Sequence, residues 1–179
     1  MKSEKYQAIT NAKSGTQLEA FFIESLKYIY WVEKHLTHVI PNMIKAAASG
    51  ELQEVLEEHL EVTKDQVTQV EKVFEMIGQK PSAKKCNAME ALTKEAEWII
   101  QETEDGTMIR DVAIIMASQK VEHYEIATYG TLARLATIMG REDIARLLLD
   151  ILDEEKEADM TLTGVAENNI NVEAYHEAT

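Results

Sequence analysis

Proline and glycine are scarce, two and seven in 179 residues. Helices can therefore run long without interruption, and a β protein that depends on many tight turns is disfavoured. Cysteine occurs once, at Cys86. No intramolecular disulfide can form, which fits a reducing compartment. Positive charge is also short: 18 Lys and Arg face 32 Asp and Glu, a net charge of −14 at pH 7. A carboxylate-dominated surface repels phosphate backbones and anionic lipid. Neither end carries a basic arm, and Lys84-Lys85 is too short to make a patch. Neither nucleic acid nor a membrane is an expected partner. No apolar run approaches the ~20 residues that span a bilayer, and Met1 to Lys13 is polar with no apolar signal core. The expected location is the cytoplasm.

What is present suits one domain with a single core. Residues 1–15 read as a flexible lead, 16–166 as the domain and 167–179 as a polar, poorly patterned tail. Thr16 and Glu19 match a capping box, after which Leu18, Phe22, Leu26, Ile29, Leu36, Ile40 and Met43 mark one helical face. Pro41 is expected to kink this helix, and Ser49-Gly50 to end the segment. A second helix begins near Glu51, with its stripe through Leu52, Val55, Leu56, Val62, Val67, Val70, Phe74 and Ile77, and Gly78 as its cap. Asn87 with Glu90 starts a shorter helix inside a long connection. A third long helix runs from near Thr107 to Gly140, and a fourth follows a tight turn, through Ile144, Leu148, Ile151, Leu162 and Val165. Short links make antiparallel neighbours. The expected fold is therefore all-α: two antiparallel helical hairpins joined by a long crossover that carries an extra short helix, the connectivity of a ferritin-like four-helix bundle.

Each long stripe contains an ionisable residue where its period calls for an apolar one. Glu33 falls between Ile29 and Leu36, and His59 between Leu56 and Val62. Glu122 follows Ile115, with Glu125 one turn on. Glu155 lies between Ile151 and Leu162, beside Glu154. One Glu near a stripe usually sits at its solvated edge, and one His is more often a hydrogen-bonded core residue than a ligand. Four helices carrying the same irregularity weaken that reading. An unpaired buried carboxylate costs several kcal/mol, so it protonates or finds a cation. Carboxylate oxygens with an imidazole suit iron, manganese or zinc.

The block Gln119-Lys120-Val121-Glu122-His123-Tyr124-Glu125-Ile126-Ala127 resembles the YciF/YciE family of bacterial stress-associated ferritin-like proteins. So do Glu57-Glu58-His59-Leu60-Glu61, Thr63-Lys64 and Asp153-Glu154-Glu155-Lys156. The likeness runs from about Leu18 to Val165 and is nearer the YciF branch. It implies a ferritin-like fold, a homodimer, a stress-related role with no named reaction, and a dinuclear iron or manganese centre open to a small oxidant, O₂ or peroxide. No organic cofactor is expected. The metal ligands it implies are Glu33, His59, Glu122, Glu125 and Glu155. The usual di-iron pattern of Glu-x-x-His on two helices is missing, since Glu173–His176 lies in the tail, so oxygen must hold most of the site.

Two alternatives stay open. Glu33 lies 16 residues before Ser49 and His59 ten after it. That is a height mismatch of roughly 9 Å at about 1.5 Å per residue, so Thr63 or Gln66 competes with His59 for the site. Likewise Glu154 competes with Glu155. A separate feature favours the homodimer: the first helix carries Phe21, Tyr28, Tyr30, Trp31 and Val32 beyond its one stripe, and a helix apolar on two faces needs a second partner. The competing functional class is a non-catalytic structural or interaction protein with a proton-sharing polar core. Iron storage would need a hollow cage, which no sequence feature specifies.

Overall fold

The structure, a computed structural model, describes residues 16–177; the expected flexible lead lies outside them. Helix α1 spans Gln17–Ala46, α2 Gly50–Met76, α3 Asn87–Glu102, α4 Met108–Ile138 and α5 Glu142–Val165. A π-helical turn, Ala166–Ile170, leads into a short α6, Asn171–His176. Among the described residues no helix is long and apolar enough to cross a membrane.

The helix ends follow local chemistry. The Thr16 hydroxyl accepts from the Glu19 amide at 3.2 Å, and the Thr16 amide donates to the Glu19 carboxylate, closing the capping box. Helix α1 passes through Pro41 without ending. Ser49 and Thr107 cap α2 and α4 more simply, each hydroxyl accepting one amide, from Leu52 at 3.5 Å and from Arg110 at 3.4 Å. Gly78 and Gly140 take positive φ, 68° and 72°, just past the ends of α2 and α4, where an L side chain is disfavoured. Helix α3 differs from expectation by one residue. Its cap is Cys86, whose Sγ accepts from the Met89 amide at 3.5 Å.

Helices α1, α2, α4 and α5 form the bundle, and α3 lies outside it against α4. Their directions follow from two contacts. Asp111, fully buried at the start of α4, accepts the amides of Ala48 and Ser49 in the α1–α2 turn, both at 2.7 Å. At the other end Arg141, in the α4–α5 turn, donates to the Met76 carbonyl at the end of α2, at 3.0 Å. Helix α4 therefore starts where α2 starts. The crossover through α3 has carried the chain back along the bundle. The packed pairs α1–α2, α4–α5, α2–α5 and α1–α4 are then all antiparallel.

Helix α2 corrects the sequence reading in register. Its buried residues are Leu52, Leu56, Thr63, Gln66, Val70, Val73 and Phe74, so Val62 and Val67 sit at the edge and two polar residues take the centre. The tail is a second correction. Instead of unpatterned chain after 166, the helix continues, with Ile170 buried and α6 packed on α4. The Glu177 carboxylate accepts the Met108 and Ile109 amides at 2.6 and 3.1 Å, satisfying amides with no partner inside α4 and placing negative charge at the positive end of its dipole. One apolar anchor and one cap gave too little periodicity to read.

Some apolar residues of α1 are covered within the chain. Val32 is buried, and Tyr30 packs edge-on against Phe74 at 5.6 Å while its hydroxyl donates to Glu71 at 2.6 Å. Trp31 stacks on His35 at 4.5 Å. Phe21 remains 47% exposed.

Asp111 is the pin between the two hairpins, and its loss strands two amides. Replacing it with Ala is expected to cost about 2–3 kcal/mol. The urea midpoint should fall at unchanged slope; an unchanged midpoint would show that the turn is held by other means.

Candidate metal centre

The interior of the bundle is apolar at both ends and charged in the middle. Glu33 from α1, Glu122 and Glu125 from α4 and Glu155 from α5 are 0–1% exposed, in line with Ile29, Leu36, Val121, Tyr129, Ile151 and Leu162. His59 enters from α2, its side chain 11% exposed. All five residues anticipated as ligands come together. One ligand atom each from His59, Glu122 and Glu155 lie within 4.8 Å of one another, and so do one each from Glu33, Glu125 and Glu155. The two groups share Glu155.

Both open alternatives resolve by packing. His59 reaches the centre, with its Nε2 3.2 Å from Glu122 Oε1. Gln66 reaches it too, donating to Glu155 Oε1 at 2.6 Å. The two flank the centre along α2, which is how the height mismatch is absorbed. Thr63 turns its hydroxyl back to the His59 carbonyl at 2.9 Å. Of the adjacent pair, Glu155 faces inward, and the half-buried Glu154 stays at the rim, accepting from the same Gln66 amide at 3.1 Å.

Tyr129, read from sequence as packing, also belongs here. It is fully buried and donates its phenol to Glu33 Oε1. Its position one turn after Glu125 was the available signal. The other histidines stand apart. His35 bonds Thr93 at 2.9 Å, His38 bonds the Lys34 carbonyl at 2.7 Å, and His123 is exposed beside Asp159. Cys86 pairs with Tyr124 at 3.1 Å, and the tail's Glu173 and His176 are exposed.

The charges do not balance. Burial raises the Glu33 carboxyl to about 7, although the bonds from Tyr129 and Glu125 and the nearby His59 oppose the rise. Burial, then the charges of Glu33, Glu155 and Glu122, hold Glu125 well above the carboxylate range. Glu155 is raised by burial, then by Glu122 and Glu33. For His59 burial acts downward, but the adjacent Glu122, with help from Glu33, leaves its pKa raised. One imidazole thus faces four carboxylates. Each carboxylate keeps one buried oxygen with no hydrogen-bond partner: Oε2 of Glu33, Glu122 and Glu155, and Oε1 of Glu125. Such oxygens take either a shared proton, as between Glu33 and Glu125, or a cation. The donor set, oxygen-rich with one nitrogen, fits a divalent ion of the iron or manganese kind. Beside His59 and Glu122 lies a void of about 20 Å³ whose other walls include Leu36, Val39, Ile40 and Val121.

Comparison with known proteins gives the chain relatives. A family model described as a domain of unknown function, DUF892, matches residues 17–175. Protein YciF of Escherichia coli strain K12 is 42% identical over 162 residues, 90% of this chain and 97% of its own length. The crystal structure of that stress protein matches with a TM-score of 0.82 over 86% of this chain and 97% of the other. YcfI of Rhodopseudomonas palustris matches with a TM-score of 0.80 at 39% identity, over 86% and 96%. A protein of Xanthomonas campestris pv. campestris, 22% identical with a TM-score of 0.69 over 87% and 95%, shares the fold alone.

The raised carboxyls predict how stability depends on pH when no metal is present. Folded Glu33 keeps its proton from its ordinary 4.5 up to about 7, and Glu125 and Glu155 keep theirs well above the ordinary carboxylate range, while the unfolded chain releases them. Stability should therefore fall as pH rises from about 4.5 to 7 and beyond, by about 1.4 kcal/mol per pH unit for each proton retained. The raised His59 acts in the same direction. Urea titrations of chelator-treated protein from pH 5 to 8 check this; stability flat or rising with pH would mean that the cluster is already ionised.

Proposed function

The chain belongs to the DUF892 family, and from that footing we propose that it is a ferritin-like, stress-associated bacterial protein whose core holds two divalent metal ions, iron or manganese. The observation that carries this reading is the pair of ligand groups sharing Glu155, with four buried oxygens still lacking partners. In this reading Glu122 and His59 would hold one ion, Glu33 and Glu125 the other, and Glu155 would serve both. Tyr129 and Gln66 keep Glu33 and Glu155 oriented by bonding one oxygen of each and leaving the second for metal. A redox-active ion bound there supplies the electrons for O₂ or peroxide chemistry. The chain's own contribution is a site whose carboxylates are buried, with only His59 reaching a surface groove, and a small void at His59 and Glu122 with room for about a water-sized group. No organic cofactor is part of the proposal.

The second reading is a structural protein with a proton-sharing polar core, favoured by the closeness of Glu33 and Glu125. The two readings differ in what a metal does. Bound at a hundredfold excess over its Kd, an ion adds about 2.7 kcal/mol of stability. Fe²⁺ or Mn²⁺ should therefore raise the melting temperature of the wild type at pH 7, with elemental analysis giving close to two ions per chain. Glu122→Gln keeps the shape and removes one charge, so it should fold yet lose most of the metal-dependent rise. A wild-type melting point indifferent to both metals would favour the structural reading.

The partner we assign is a second copy of the chain. Phe21 stands 47% exposed on a groove of about 320 Å³ between α1 and α4, lined also by Tyr28, Tyr124, Ala127 and Leu132. An apolar groove with an exposed ring at its edge suits helix-against-helix pairing. Light scattering at micromolar concentration should give twice the 20.2 kDa chain mass, and Phe21→Glu should shift it to the monomer. A monomeric wild type refutes the assignment.

A further inference from the structure

A centre made of fully buried carboxylates needs a way in. Glu33, Glu122, Glu125 and Glu155 are at most 1% exposed, so no ion can reach them directly from water. The exception in the cluster is His59, and it lines a groove of about 290 Å³ between α2 and α5. The groove's floor is apolar, with Val55, Val62 and Ala158 among its walls, while Glu58, Glu154 and Glu157 stand along it. Glu58 and Glu157 are exposed and Glu154 is half-buried. Among the described residues none of the three forms an ion pair, and the groove's lining contains no Lys or Arg. Of the groove's lining residues only His59 can carry positive charge.

Behind His59 the connection is short. The Gln66 side-chain amide donates both to Glu154 in the groove and to Glu155 in the core, at 3.1 and 2.6 Å. One amide group thus separates a groove carboxylate from the carboxylate common to both ligand groups. Glu122 and Glu155, which share His59's ligand group, each keep a buried oxygen without a partner. A cation drawn into the groove finds three carboxylates, then an imidazole, then those oxygens.

We propose that the groove between α2 and α5 is the port by which a divalent cation enters the core, with Glu58 and Glu157 gathering it and Glu154 passing it inward past Gln66 and His59. This rests on the reading of the core as a metal centre. The three groove carboxylates act on the rate of uptake and not on the final occupancy, because the ion comes to rest on other residues. A charged, low-dielectric cleft raises association rates by about 10–1,000-fold, and the effect weakens as salt screens it.

The test is Co²⁺ uptake by the full chain, followed by stopped-flow visible absorption, with equilibrium dialysis giving ions per chain. The combined Glu58→Gln, Glu154→Gln and Glu157→Gln variant should load about tenfold more slowly at low salt, converge toward the wild type at high salt, and reach the same final stoichiometry. Ala158→Phe, which fills the groove without changing charge, should also slow loading, with no added salt dependence. A control neutralising Glu97, Glu102 and Glu104, exposed on and after α3 away from the groove, should load like the wild type. Wild-type rates in both groove variants, equal slowing in the control, or reduced final stoichiometry in the groove variants would each overturn the port while leaving the metal centre standing. A wild type that takes up no Co²⁺ at equilibrium would overturn both.

Discussion

Four carboxylates and one imidazole occupy the middle of a bundle whose two ends are apolar, and the rest of the molecule is arranged around their mutual repulsion. Two like charges about 4 Å apart repel by roughly 4 kcal/mol even at an effective dielectric of 20. Apolar packing alone would expel such a group. It stays because each carboxylate arrives on a different helix or a different turn of one, already fixed by long apolar stripes on both sides. The rigid stripes hold the carboxyls close, and protons or cations must make up the difference. The pH dependence expected of the core and the metal binding proposed for it would be two responses to one electrostatic constraint.

The crossover makes that convergence possible. By running α3 back along the bundle, the chain starts α4 at the same end as α2. Glu33 then lies level with Glu125 and His59 level with Glu122, and α5 brings Glu155 up from the other end to meet both pairs. A chain with a tight link after Met76 would reverse the α4–α5 hairpin and move its carboxylates to another level. Asp111 and Arg141 tie the hairpins together at opposite ends of the bundle.

The bonds around the cluster separate its two halves. Tyr129 holds Glu33 from the α4 side, deep in apolar surroundings. Gln66 holds Glu155 from the α2 side, next to Glu154 and the α2–α5 groove. Burial pushes up the pKa of both carboxyls in the deep half, Glu33 and Glu125. The shallow half, with His59, adjoins that groove. The strongly acidic surface of the chain extends into that opening, whose lining holds no Lys or Arg.

Much of this was legible in the sequence. The helix limits followed from Thr16, Ser49, Thr107, Gly78 and Gly140, because capping is a local reaction between a side chain and the backbone beside it. Glu33, Glu122, Glu125 and Glu155 were legible as interruptions of apolar stripes, since helical periodicity fixes which face a residue shares with its neighbours. Periodicity does not fix how far that face is turned toward the core, and one residue shifts it by about 100°. Valines at 62 and 67 therefore pulled the α2 stripe one position off Thr63 and Gln66, and Glu154 could not be told from Glu155. The helical ending beyond residue 166 depended on one buried Ile170 and one distant cap by Glu177, contacts separated by some 60 residues or more of chain. The sequence by itself determined which helices form and which of their faces carry charge. Only the tertiary structure decided that His59 and Gln66 both reach the centre, that Tyr129 serves Glu33, and that one groove opens toward the site, because those depend on how deeply and in what direction helices far apart in the chain press together.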